Sequence, residues 1–295
     1  MLTQIQALIA LLDDDSPTVL ATVTDRLMEL GDQSLEALRQ ASDSPSPHVR
    51  MRARGLVTRL LQPSRLENLV ERVESTTKND HSHLESVCLG LARIHTPDLD
   101  ESSVTRHLDK LAETIRPELD GSKSERDRLE AFLEGIHGTL CFRVSSNDWT
   151  LGDHFLHTVI ERRRGLPLNL AIVYALLGHR LNLTIRIIGS PMRAMALARV
   201  EDDWLYLNPQ ENWRILTRSD AEQFLVRQGL VGVNYDRFLP VLSVTRTLQR
   251  NVRNLVNYCD DARDTELKAL FQDLIGALSR LRMTTESVAT QDAAE

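Results

Sequence analysis

A chain of 295 residues can bury one large core or two modest ones. With 42% hydrophobic and 26% charged residues it is no disordered polymer, and a formal charge of −7 argues against a broad nucleic-acid face, which needs a basic excess. No apolar run approaches the ~20 residues of a membrane span, and Met1 to Gln6 place no basic segment ahead of an apolar stretch, so the expectation is a cytoplasmic protein.

The first helices repeat. Ser16-Pro17-Thr18-Val19 returns about thirty residues later as Ser46-Pro47-His48-Val49, and Leu30 is matched by Leu60. Each unit reads as an apolar helix, an acidic Ser/Pro turn and a second helix, with Leu8, Leu11 and Leu12 on one face and Val23, Leu27 and Leu30 on another. Proline just inside a helix start loses no hydrogen bond. The pattern resembles a pair of short HEAT-type repeats over residues 1–65. About three such units are normally needed for a continuous core.

A polar loop is expected over Ser75 to Asp80. Helical spacing then returns in Leu84, Val87, Cys88 and Leu91, in Val104, Leu108, Leu111 and Ile115, and in Leu129, Phe132, Leu133, Ile136 and Leu140. Connections are expected near Asp120-Gly121-Ser122 and Ser145-Ser146-Asn147. A helix from Asp153 to Arg163 is expected to turn Phe155, Leu156, Val159 and Ile160 inward and to leave His154 and His157 in solvent. Pro167 opens another, with Leu170, Ala171, Tyr174, Leu177 and Leu181 on its inner face. The period then shortens to that of strands: 184–188, 195–200, 204–207 with a hairpin tip at Glu201-Asp202-Asp203, and 213–216. Helices follow through Phe224, Leu248 to Val256, and Leu267 to Leu278, and residues 284–295 are expected to form a disordered tail.

A helix start facing antiparallel strands has chemical meaning. The helix N-terminus lowers a thiol's pKa, a strand histidine acts as base, and an acid or amide orients it. The run Glu161-Arg162-Arg163-Arg164-Gly165-Leu166-Pro167-Leu168-Asn169-Leu170-Ala171, followed by Tyr174 and Arg180-Leu181-Asn182-Leu183, resembles the signature segment of the bacterial transglutaminase-like core family, including its Sir-B-type members. Leu91-Ala92 with Pro97-Asp98-Leu99-Asp100, and Val233-Asn234-Tyr235 through Leu239-Pro240, resemble that family's flanking segments. The resemblance implies an α+β, helix-dominated fold with a papain-like core, covering residues 66–283.

Its catalytic residues do not carry over. Asn169 stands where active relatives have cysteine, Arg193 at or beside the place of the strand histidine, and Asn208 in place of the aspartate. An amide is no nucleophile, and arginine stays protonated at any working pH. Cys88, Cys141 and Cys259 sit at apolar positions and are expected to be buried filler; three scattered cysteines make neither a disulfide framework nor a zinc site. His81-Ser82-His83 has a ligand-like spacing but no acidic or thiol neighbour, so no metal or cofactor is expected. Arg162-Arg163-Arg164 reads either as a helix C-terminus stabilised by cations or, with Arg193, as a rim that binds an anion or an acidic partner segment. The expected function is that of a degenerate relative acting as an interaction or regulatory module for a protein or peptide. The alternative is a hydrolase or acyltransferase using non-thiol residues.

Overall fold

Pro17 and Pro47 set the first boundaries. Each is the first residue of a helix, where the fixed φ suits the turn and no N–H is missed. In the computed structural model, which describes residues 2–75, 81–145, 149–191, 194–209 and 213–291, the chain divides into the units Met1–Asn68 and Leu69–Glu295. The first holds α1 (Leu2–Ala10), α2 (Pro17–Leu30), α3 (Asp32–Ala41) and α4 (Pro47–Leu60), and α5 (Gln62–Glu74) starts within it. Leu12, Val23, Leu27, Leu38, Ala53 and Leu56 form its core. Its two turns are tied together: Ser46 Oγ donates to Asp13 Oδ1 at 2.6 Å, and Arg52 Nη1 donates to the carbonyls of Leu12 and Asp14 at 2.6 and 2.9 Å. Gly31 joins α2 to α3 at φ +54, a conformation that suits glycine.

The second unit is built around one helix. It contains α6 (His81–His95), α7 (Glu101–Asp120), α8 (Glu125–Glu134), α9 (Leu156–Arg162), α10 (Pro167–Arg180), α11 (Arg218–Arg227), α12 (Val244–Ala262) and α13 (Thr265–Gln291). Every residue of α10 from Leu168 to Gly178 is buried, as expected of a helix that is apolar on all sides. Helices α6, α7 and α9 pack against it on one side. On the other is a four-stranded antiparallel sheet in the order β3 (Ile185–Ile188), β4 (Met195–Val200), β5 (Asp203–Asn208) and β6 (Arg214–Leu216). The remaining strands, β1 (Arg143–Val144) and β2 (Arg164–Gly165), form a short parallel pair. The register Ile187↔Ala196 and Ala196↔Leu207 aligns buried residues across the sheet. Segment 238–242 lies along β3, with Leu242 N donating to Ile187 O at 2.8 Å and Gly189 N to Pro240 O at 2.9 Å. Arg218 ties α11 to the 3-10 turn Tyr235–Arg237, just before that segment, through Asp236 at 2.7 Å and to β5 through the Tyr206 hydroxyl at 3.0 Å.

Several expectations are corrected. The helix expected from Asp153 is a 3-10 turn, Leu151–His154, then extended Phe155, then α9. A capping box between Thr150 and Asp153 starts the turn, and the break at Phe155 resets the helical phase. His154 is therefore buried, 2% exposed, instead of solvated, and His157 is half-buried beside Thr96 and Thr158. Helix α8 passes into a π-helical turn, Gly135–Thr139, and Cys141 follows at φ 59, so its thiol is exposed and not filler. Cys88 and Cys259 are buried. Helix α13 continues to Gln291, through residues expected to be irregular, because each added residue of an existing helix gains a backbone bond at little cost. Residues 76–80, 146–148 and 292–295, expected as loops and tail, lie outside the described residues, as does the side chain of His81. Among the described residues no helix is long and apolar enough to cross a membrane.

Candidate functional site

Helix α10 begins without a side-chain cap. Leu166 is its N-cap, Pro167 its first residue, and Asn169 lies in its first turn, 2% exposed. The first-turn N–H groups have no acceptor within the helix, so this end carries partial positive charge. The Asn169 side chain does not face outward. Its Nδ2 donates to the His154 carbonyl at 2.8 Å, and Asn251 Nδ2 from α12 donates to the same oxygen at 3.0 Å. Two buried amides thus fasten the 3-10 turn to α10 and α12.

Of the other expected site residues, Asn208 closes β5 and is 1% exposed, while Arg193 lies outside the described residues. The three consecutive arginines have separate tasks. Arg162 Nη1 reaches Thr150 Oγ1 at 3.3 Å. Arg163 takes the left-handed C-cap position of α9, φ 56, with its guanidinium 5.1 Å from the Phe142 ring centre and Nη2 3.4 Å from His107 Nε2. Arg164 Nε lies 3.7 Å from Asp153 Oδ1, beside a carboxylate that is 1% exposed.

Beside the α10 start is a cavity of about 560 Å³, lined by Leu166, Pro167 and Leu168, by Ser145 and His154, by the half-exposed Trp149, and by a stripe from α12. That size falls in the range of small-ligand sites. Arg250, Asn254, Asn257 and Asp261 form the stripe at i, i+4, i+7 and i+11, which brings them to one face of α12, and Tyr258 adjoins it. This polar row was legible in the sequence as helical spacing, but it lies opposite the apolar face that marks the helix and points to no chemistry on its own.

His154 lines the cavity with both ring nitrogens lacking a hydrogen-bond partner. Its ring sits edge-on to Tyr258, centres 5.7 Å apart. Burial pulls its pKa down to about 4, outweighing Asp153 next door, so the ring is neutral at pH 7. Arg250 is half-buried, makes no ion pair with a described residue, and has its pKa lowered by burial alone.

A hydroxyl–imidazole pair does exist on α10, at a different place. The Tyr174 hydroxyl and His137 Nε2 are 2.5 Å apart, with His137 Nδ1 3.1 Å from the Phe142 carbonyl. Nδ1 must carry the proton to bond a carbonyl, so Nε2 accepts from Tyr174. Burial raises the Tyr174 pKa well above normal and lowers that of His137, so both are neutral. Tyr174 is 0% exposed, and Trp213 covers it at 4.1 Å between ring centres. The phenol is thus closed off, while His137 is half-buried. Burial also raises the Cys88 thiol to about 12, which leaves it inert. Among the described residues no group of three or more His, Cys, Asp or Glu is placed to hold a metal ion.

The Transglutaminase-like superfamily domain matches residues 102–253, a span that runs from α7 through the sheet into α12. A UPF0162 protein of Pseudomonas aeruginosa is 29% identical over 180 residues, a stretch covering 58% of this chain and 63% of that protein. A UPF0162 protein of Pasteurella multocida is 24% identical over 100 residues, 34% of this chain and 38% of that protein. The chain thus spans less than two thirds of the length of either relative. No solved structure matches it significantly.

Proposed function

The chain belongs to the Transglutaminase-like superfamily, and from that premise we propose that it is a catalytically degenerate member, of the Sir-B type, acting as an interaction or regulatory module for a protein or peptide. One observation carries the reading: at the start of α10, where thiol chemistry needs a nucleophile, Asn169 is bonded at 2.8 Å to a buried carbonyl. A carboxamide forms no acyl intermediate, and this one is committed to holding the 3-10 turn. Among the described residues the Thr hydroxyls in contact with a histidine, Thr96 and Thr158 at 3.4 and 3.2 Å from His157 Nε2, lie outside this turn. The neighbouring histidine, His154, is neutral and has no hydroxyl or thiol to deprotonate.

A cavity left open at such a start retains what recognition uses: helix-end polarity, amides and an aromatic lip at Trp149. Arg162, Arg163, Arg164 and Arg193 are proposed as candidate residues for binding an anion or an acidic partner segment. The first unit, read as HEAT-like, would add a helical surface of the kind that binds protein segments.

The test replaces Trp149, 51% exposed at the cavity, with a photo-crosslinking residue in the native host, and Val231, 70% exposed, as control. A defined polypeptide adduct from position 149 and not from 231, lost on competition with excess unmodified protein, is the expected result. Equal adducts from both positions, or none, contradict the reading.

A further inference from the structure

The exposed side of α4 carries charge and shape that the fold does not use. Residues 44–66 hold five arginines and no Asp or Glu, within a chain of formal charge −7. Val49, Ala53 and Leu56 turn the inner side of α4 into the core of the first unit. On the outer side Met51, Gly55 and Thr58 follow one another at i, i+4 and i+7, with Met51 65% exposed. Arg50 and Arg54 edge this stripe on one side, at i and i+4, and Arg52 and Arg59 on the other, at i and i+7. Among the described residues Arg54 is the only one of the four in an ion pair, with the exposed Asp43 at 3.7 Å. Backbone carbonyls orient two of the others: Arg50 Nη1 donates to Ser44 O at 2.6 Å, and Arg52 Nη1 to Leu12 O and Asp14 O. A carbonyl positions a guanidinium without cancelling its charge, so both edges stay cationic.

Gly55 is an independent sign of a docking surface. Glycine is the poorest ordinary residue inside a helix, and a Cβ at position 55 would meet nothing within 4 Å. No described neighbour needs the bare backbone there. A segment from outside that lies close along α4 does need it, and the adjacent Met51 gives that segment an adaptable apolar contact.

We propose that the outer face of α4 docks an acidic amphipathic helix of a partner protein. Its apolar seam lies over Met51 and Gly55, and its carboxylates meet the arginines on either edge. The inference deepens the reading of the first unit as a helical binding surface and is independent of the cavity beside α10. Charge favours a short acidic helix over a nucleic acid. Helix α4 has 14 residues, about 21 Å, and carboxylates close off its start: Asp13 accepts from Ser46 Oγ at 2.6 Å, and Asp15 stands 3.9 Å from His48. A phosphate chain running past the arginines would meet those carboxylates, whereas a helix of about four turns ends before them. A membrane surface is disfavoured too. The apolar side of α4 is buried in the core, and Met51 is its one exposed large apolar side chain among the described residues.

The full chain is titrated by calorimetry at low salt with an acetylated helical peptide of about four turns, a leucine seam flanked by glutamates. A second peptide has glutamine for every glutamate, and phosphatidylserine vesicles and a single-stranded oligouridylate complete the set. The glutamate peptide should saturate, with the other three probes at least about tenfold weaker. Arg54→Glu with Arg59→Glu should weaken that peptide about tenfold or more, and Arg227→Glu with Arg253→Glu, exposed in the second unit, should not. Gly55→Leu should keep or raise the thermal midpoint, leucine being the better helix former, yet weaken the peptide about tenfold. Should the paired glutamate variant fail to fold, Gly55→Leu and the glutamine peptide still decide. No saturation by the glutamate peptide, equal binding of the glutamine peptide, tighter binding of vesicles or RNA, or unchanged affinity in Gly55→Leu overturns the proposal. Failure here with a position-149 adduct intact leaves the cavity reading standing; loss of that adduct with the peptide still bound leaves this one.

Discussion

Replacing Asn169 with alanine removes one donor from the His154 carbonyl, but Asn251 still bonds that oxygen at 3.0 Å. The expected cost is about 1 kcal/mol, read as a lowered urea midpoint with an unchanged slope. Asn169→Asp should cost more, because an anionic oxygen would replace the donor facing that carbonyl. A large loss for alanine and none for aspartate would show that the amide does not fasten the turn. His154 gives a pH signature. Its folded pKa near 4 lies below the ordinary 6.5, so the unfolded chain binds the proton first. Its contribution is intact above pH 6.5 and is lost as pH falls toward 4, by about 3 kcal/mol. His95, His107, His137 and His157 are lowered too and add to the same slope. Denaturation curves across that window should show His154→Gln flattening the fall; an unchanged slope would contradict the burial argument. The place of Asn169 in the first turn of α10 was legible, whereas its bond to the His154 carbonyl was not. Nothing in the sequence marks the phase reset at Phe155 that turns the histidine inward.

At the scale of elements, α10 is fixed by charges at its far end. Arg180 Nη2 meets Glu85 of α6 at 2.8 Å, and its Nε meets Asp109 of α7 at 2.7 Å. Arg180 and Glu85 are 16% and 13% exposed, so truncating the arginine strands a buried carboxylate. Arg180→Met should lose about 3 kcal/mol, and Arg180→Met with Glu85→Met much less than the two singly; additive losses in that double-mutant cycle would show no coupling. Close approach matters at Gly178. A Cβ there would stand 2.8 Å from Ile185 Cδ1, so Gly178→Ala should push β3 off the helix and cost about 1–3 kcal/mol, checked by thermal unfolding. The sheet and the α10 start were legible because their signals are local: alternation over 185–200, and Pro167 as a first helical residue. The π-helical turn after α8 and the exposed Cys141 were not, since no local spacing marks them; Gly135, which opens the turn, packs on α7, where a Cβ would meet Ile115 at 2.9 Å. The cavity was illegible for a related reason: its lining comes from segments a hundred residues apart, and spacing within any one of them reveals half of it.

For the whole chain, charge and kinship set the expectations. The formal charge of −7 predicts no measurable affinity for double-stranded DNA at about 150 mM salt, and retention of a DNA probe in a filter assay would contradict it. The superfamily match covers the part of the second unit that contains α10 and the sheet, but superfamily membership gives a fold more surely than a reaction. The account therefore turns on whether the start of α10 performs chemistry. The direct measurement is a single-turnover screen of the purified chain, by mass spectrometry, against peptide amide, ester and amine-acceptor substrates. The account predicts no acyl-enzyme adduct and no product above a protein-free blank. Turnover by the wild-type chain that disappears in Asn169→Ala would contradict it.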